Sequence, residues 1–246
     1  MQRFDPLTAP TPLLDFTTPA LTRLIAERGW TRLPATARLA AAYDFVRNDI
    51  AFGYNRADDI PASAVLRDGY GQCNTKGTLL MALLRALGLR CRLHGFTIRK
   101  ALQRGVVPEL VYPLAPREIV HSWVEVEHEG RWITLEGFIL DQAFLSALQS
   151  AFAGRRALCG YGVGTDRLDA PPVVFEGGDT FIQKTGIARD FGIFDTPDQF
   201  YGRHRQQLGW FRERAYRGVI RHWMNARVRA IRRGHVPQVP GLAQNR

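Results

Sequence analysis

Two glycines bracket Tyr70 immediately before a strongly apolar run. Gly69-Tyr70-Gly71-Gln72-Cys73 leads straight into Leu79, Leu80, Leu83, Leu84 and Leu87, and Gly88 follows. Leucines at three- and four-residue spacing form the apolar stripe of a helix, which the glycine ends. Glycines two apart mark a tight turn with close backbone approach. Any fold of this chain must bury that helix and hold a sharp turn at its start. Cys73 sits at the junction, in the first helical turn.

Upstream, residues 5–19 hold Pro6, Pro10, Pro12 and Pro19 and predict an extended arm. Leu39, Tyr43, Val46 and Ile50 predict an amphipathic helix between Pro34 and Phe52, followed by a polar stretch from Gly53 to Arg67. Downstream, three strands are expected: Cys91–Ile98, His121–Val126 and Arg131–Glu136. Glu127-His128-Glu129-Gly130 joins the last two as a hairpin turn. The proline-containing stretch from Arg99 to Glu118 predicts a long loop of the kind often used for function. Gly160-Tyr161-Gly162-Val163-Gly164 has no strand before it and no amphipathic helix after it, so it predicts a loop and not a nucleotide site. Phe181–Ile187 is a further strand candidate. Thr196-Pro197-Asp198-Gln199 carries the residues of a helix start, and the helix is expected to run toward Arg233 with a break near Gly202 or Gly209.

Charge is unevenly placed. The net charge is +10, yet residues 1–200 balance, and the last 46 residues hold eleven arginines against the single acid Glu213. A basic segment of that kind can bind nucleic acid or an anionic membrane through residues 203–233. Only Lys76, Lys100 and Lys184 stand beside 30 arginines, a skew that codon usage can also produce. No stretch is long and apolar enough to span a membrane, and no secretory signal opens the chain, so a cytoplasmic location is expected. Three cysteines, Cys73, Cys91 and Cys159, argue against a disulfide framework and lack paired zinc-ligand spacing. No metal or cofactor is expected.

The order of Cys73, His121 and Glu136 carries chemistry. A thiol attacks as the thiolate, and free N–H groups at a helix start favour that anion and an oxyanion formed beside it. Histidine titrates near neutrality and can take the thiol proton. A carboxylate holds the imidazole in one tautomer. Register is consistent with this: a two-residue turn at Glu129-Gly130 sets Trp123 opposite Glu136 and leaves His121 diagonal to it on one face, a four-residue loop over Glu127 to Gly130 sets His121 directly opposite Glu136, and a three-residue turn would separate them. Asp141 is the backup third member, and Gln72, Tyr54 or Asn55 are candidate oxyanion donors.

Gly71-Gln72-Cys73, His121-Ser122-Trp123-Val124-Glu125-Val126 and Trp132-Ile133-Thr134-Leu135-Glu136 together resemble the core of the transglutaminase-like superfamily. The resemblance covers about residues 36–141. It implies an α+β fold with a papain-like core, a Cys-bearing helix packed on an antiparallel sheet, and a Cys-His-Asp triad, with Glu136 standing where the family usually has Asp. No calcium-ligand cluster of the animal transglutaminase kind is visible. Residues 1–246 are expected to form one domain, with 36–141 the catalytic core and 142–246 an extension ending in a basic helical stripe (Leu208, Phe211, Ala215, Val219, Trp223 and Ile231, with Ile220 and Met224) that packs on the core. The expected activity is that of a calcium-independent thiol enzyme, a cysteine peptidase, amidase or acyltransferase, acting on an amide or isopeptide bond of a peptide or protein through a thioester. The alternatives are an inactive binding module of the same fold and an Arg-rich anion or nucleic-acid binder.

Overall fold

A computed structural model describes residues 5–206, 209–239 and 242. In chain order the helices and strands are α1 (Pro19–Glu27), α2 (Ala35–Asp44), β1 (Ala51–Phe52), α3 (Ala62–Asp68), β2 (Tyr70–Gly71), α4 (Cys73–Ala86), β3 (Cys91–Arg99), β4 (Glu118–His128), β5 (Arg131–Leu135), α5 (Gln142–Ala151), β6 (Leu158–Gly160), β7 (Val163–Thr165), β8 (Ile187–Phe194), α6 (Pro197–Arg203), α7 (Trp210–Ala215) and α8 (Arg221–Arg232). The centre is an antiparallel sheet in the order β5-β4-β3-β8, with α4 laid against β4. This is the α+β arrangement, with the Cys-bearing helix on an antiparallel sheet, expected from the sequence.

The turn before α4 is tight for a visible reason. Gly69 closes α3 with φ at 69°, a backbone state glycine adopts without strain. A Cβ at Gly71 would come within 2.6 Å of Thr75 Oγ1 and 2.9 Å of Lys76 Cγ, so the chain can pass there only without a side chain. The Gln72 N–H donates to Thr75 Oγ1 at 3.1 Å and so ties the residue before α4 to its first turn. Lys76 is wholly buried, and its Nζ donates to the carbonyls of Arg47 and Ile139. Between β4 and β5, Glu129 and Gly130 take positive φ values of 51° and 76°, the two-residue turn that matches strand twist.

Several expectations shift. The helix from Pro34 ends at Asp44 and continues as one π-turn over Phe45–Asp49. The polar stretch 53–67 contains α3, whose Ala62, Ala64 and Val65 are buried. Gly160–Gly164 belongs to the β6–β7 hairpin rather than to a free loop. The strand placed at Phe181–Ile187 lies at Ile187–Phe194 instead. Residues 181–183 are drawn away, with the Ile182 carbonyl accepting from Gly164 and the N–H groups of Ile182 and Gln183 donating to Glu136.

The C-terminal stripe is also corrected. The buried face of α8 is Met224, Asn225, Val228 and Ile231, whereas Phe211, Val219 and Trp223 are 80%, 65% and 43% exposed. Leu208 lies outside the described residues. Met224 and Ile231 of the expected stripe are buried, and a π-turn over Tyr216–Ile220 rotates the helix beyond it so that Trp223 leaves a stripe drawn at constant α-helical spacing. The α8 face joins the same apolar core as α4. Asn225 clasps Tyr54 at two points, accepting from its N–H at 2.7 Å and donating to its carbonyl at 3.0 Å. Arg232 donates to the Phe52 carbonyl and pairs with Asp141 at 2.7 Å.

Asp141 therefore anchors α8. Against the upward push of burial, Arg232 and the N–H groups of Phe52 and Phe144 hold its carboxyl below its ordinary value. Asp141→Asn keeps the helix cap to Phe144 and removes the charge. It should cost about 2–3 kcal/mol in urea unfolding and raise amide exchange in α8, whereas unchanged exchange there would separate the helix from this anchor.

Candidate functional site

The site is built at an open edge of β4. Strand β5 pairs with β4 only as far as Val124↔Leu135. Beyond that point Val120 and Ser122 turn main-chain groups toward the side where β5 has ended, and such groups need partners. Asn74, second residue of α4, fills one of these main-chain positions and binds a side chain beside it. Its Nδ2 donates to the Val120 carbonyl at 3.0 Å, and its Oδ1 accepts from Ser122 Oγ at 3.1 Å. Gln206 Oε1 accepts from the Val120 N–H at 2.9 Å. The Ser122 N–H is directed at the Cys73 thiol. The helix start and the strand are thus joined on both sides of His121, and this brings Cys73 beside the His121 segment.

His121 itself is fully buried, with its ring stacked on Phe96 at 4.7 Å between centroids. One ring nitrogen, Nε2, bonds to Gln183 Oε1, and Nδ1 has no partner. Gln183 is held in that orientation because its Nε2 donates to the Gly162 carbonyl at 2.5 Å. Its carbonyl oxygen must then accept from His121 Nε2–H, which leaves Nδ1 as the proton acceptor.

Among the described residues no hydrogen bond joins Glu136 to His121, which departs from the sequence expectation. Its Oε2 accepts from the N–H groups of Ile182 and Gln183, both at 2.9 Å. Glu136 therefore clamps the loop that carries Gln183, one step removed from the imidazole. Asp141 is excluded as the backup by its engagement with Arg232, Phe52 and Phe144. Gln183 escaped the sequence reading because it lies 62 residues beyond His121 in an aperiodic segment. Its position depends on where β5 stops, and no spacing signal marks that.

Two of the candidate oxyanion donors are engaged elsewhere. Gln72 Nε2 donates to Asp58 at 2.6 Å, and Asn55 Nδ2 donates to Asp68 and to the Tyr70 carbonyl. Tyr54 lines the cavity that opens on Cys73, and burial pushes its hydroxyl well above its ordinary value, so it stays a donor. That cavity measures about 530 Å³ and is bounded by the segments around residues 54–59, 72–74, 103–120 and 201–224.

Electrostatics overturns one further expectation. Burial, followed by the charge of Asp58, raises the Cys73 thiol well above its ordinary value, and this outweighs the N–H groups of Asn74 and Ser122. Burial also lowers His121 to about 4. Both groups are therefore neutral at rest, and the helix start does not by itself produce a thiolate. Burial lifts Glu136 to about 7 despite its two N–H donors.

Residues 25–137 match the model of the family described as the transglutaminase-like superfamily. That match supports a thiol enzyme in general. A solved structure named as a putative cysteine protease from Cytophaga hutchinsonii is 18% identical, with 56% of this chain and 44% of that one covered and a TM-score of 0.41. The chain thus matches less than half the length of that protein. Comparison with curated proteins gives no match. Among the described residues no group of three or more His, Cys, Asp or Glu side chains is placed to hold a metal ion, and no helix is long and apolar enough to cross a membrane.

The contact geometry ranks the supporting residues. Gln183→Ala should slow acylation of Cys73 by a reactive acyl probe about ten- to hundredfold, the usual effect of losing a partner that orients a functional histidine. Glu136→Gln retains an acceptor for the loop N–H groups and should cost less. A larger loss in Glu136→Gln than in Gln183→Ala would return the orienting role to Glu136.

Proposed function

We propose that the protein is a thiol enzyme that cleaves or transfers the acyl group of an amide or isopeptide bond in a peptide-like substrate. The reading is carried by the seam at Asn74, which sets the Cys73 thiol, facing a cavity, beside a histidine segment whose Nδ1 is free. His121 Nδ1 takes the thiol proton as Sγ attacks the carbonyl carbon, because neither group is charged beforehand. The oxyanion is received by the Tyr54 hydroxyl and by N–H groups of the first turn of α4. The His121 proton then passes to the departing amine, the C–N bond breaks, and a Cys73 thioester remains. Water attacks that thioester in hydrolysis, and a second amine does so in transfer. Hydrolysis is preferred because water is always present.

On this reading Gln183 and Glu136 are positioning residues. The core of 36–141 and the extension of 142–246 act as one unit, since the 201–224 segment supplies a wall of the cavity. An inactive binding module is the second reading, favoured by the raised Cys73 thiol, and the same experiment separates the two.

An acyl probe followed by peptide mapping should label Cys73. His121→Ala should lower the labelling rate by two to four orders of magnitude, the range for loss of a general base, ~10²–10⁴-fold. The rate should fall as pH drops through about 4, where His121 gains its proton, and not near the ordinary histidine value of 6.5. Labelling of Cys159, with none of Cys73, would favour the binding module.

A further inference from the structure

The cavity beside Cys73 contains a carboxylate that the proposed chemistry does not use. Asp58 lines the same cavity as Cys73, together with three tyrosines, Tyr54, Tyr201 and Tyr216. Gln72 Nε2 donates to Asp58 Oδ1 at 2.6 Å, which fixes the carboxylate. The neighbouring acid Asp59 pairs with Arg205 at 3.0 Å, and Glu213 pairs with Arg217. Among the described residues Asp58 makes no ion pair. The tyrosines are also held: the Tyr216 hydroxyl donates to the Asn55 carbonyl at 3.1 Å, and the Tyr201 hydroxyl lies 3.3 Å from Ser122 Oγ.

A fixed carboxylate among aromatic rings is suited to a cation. Aromatic faces attract ammonium groups, and the attraction grows where water is excluded. Asp58 also has an apparent drawback: after burial, its charge is the next influence opposing ionisation of Cys73. Burial raises the Asp58 carboxyl above its ordinary value, and in its ionised form it hinders a neighbour that must itself become anionic unless something neutralises it. A substrate ammonium would do so in the act of binding.

We infer that Asp58, with Tyr54, Tyr201 and Tyr216, forms a subsite for an ammonium group, and that the substrates are peptide-like acyl compounds carrying a free amino group close to the reacting carbonyl. This rests on the reading of Cys73 as the nucleophile. Asp58 acts as a specificity residue, and cationic substrates promote their own attack by relieving its charge. Arg56 and Arg212 also line the cavity and set a competing positive charge there.

The test uses the full chain and three methanethiosulfonates of similar size, bearing a trimethylammonium, a hydroxyl or a sulfonate group. In each reaction the Cys73 sulfur forms a disulfide bond to the reagent, and methanesulfinate leaves while the thiol proton is released. Rates at Cys73 are read by peptide mass spectrometry and divided by those of a free small thiol. The cationic reagent should react about tenfold faster than the neutral one, the preference that a single ammonium contact of ordinary strength gives. Asp58→Asn should slow the cationic reagent and speed the neutral one. Opposite changes of that kind do not arise from general damage to the site.

Equal normalised rates in the unmodified protein would overturn the inference without any variant. A preference for the sulfonate would do the same and assign the cavity to the arginines. Both results would leave Cys73 as a nucleophile. No modification of Cys73 by any of the three reagents would remove the nucleophile and the subsite together.

Discussion

The site depends on the place where β5 stops pairing. Main-chain groups of β4 that a longer β5 would have covered are left open at Val120 and Ser122, and Asn74 at the start of α4 fills part of that gap. One side chain therefore sets the angle and distance between the helix that carries the thiol and the strand that carries the imidazole. The close approach at Gly71 and the link from Gln72 to Thr75 fix the helix start that Asn74 uses. The edge that would otherwise be a liability of the sheet becomes the location of the candidate site.

Burial then determines how the groups behave. The thiol, the imidazole and Glu136 all sit where charge is poorly solvated, so Cys73 and Glu136 hold their protons more tightly and His121 holds its proton less tightly. On the proposed reading, a pair that rests neutral moves its proton as the new bond forms. Such a site discriminates through what the substrate brings with it, because the protein alone does not complete the charge balance.

The parts legible in the sequence were those with local causes. The leucine stripe of α4, its glycine-bounded turn, the β4–β5 hairpin and the Thr196 helix start each follow from residues within a few positions of one another. Cys73 and His121 were legible because each has a local setting, a helix start and a strand. Gln183 was not, because its contact arises from Glu136 drawing a loop across the end of β5. Within α8, Trp223 was misplaced while Met224 and Ile231 were not, because a π-turn changes the rotation per residue and nothing in a constant-period pattern signals that change. Asp141 reads as a plausible acid in sequence, and a partner 91 residues away gives it a different task.

The clasp of Asn225 on Tyr54 and of Arg232 on the Phe52 carbonyl links the last helix to the strand that leads into the cavity. Synthesis on the ribosome delivers Cys73 long before it delivers α8. Through that interval the nascent chain carries the thiol and the imidazole without the wall that completes their pocket. Completion of the pocket is therefore timed by chain emergence, and the cavity around Cys73 takes its final shape only when the last helix docks.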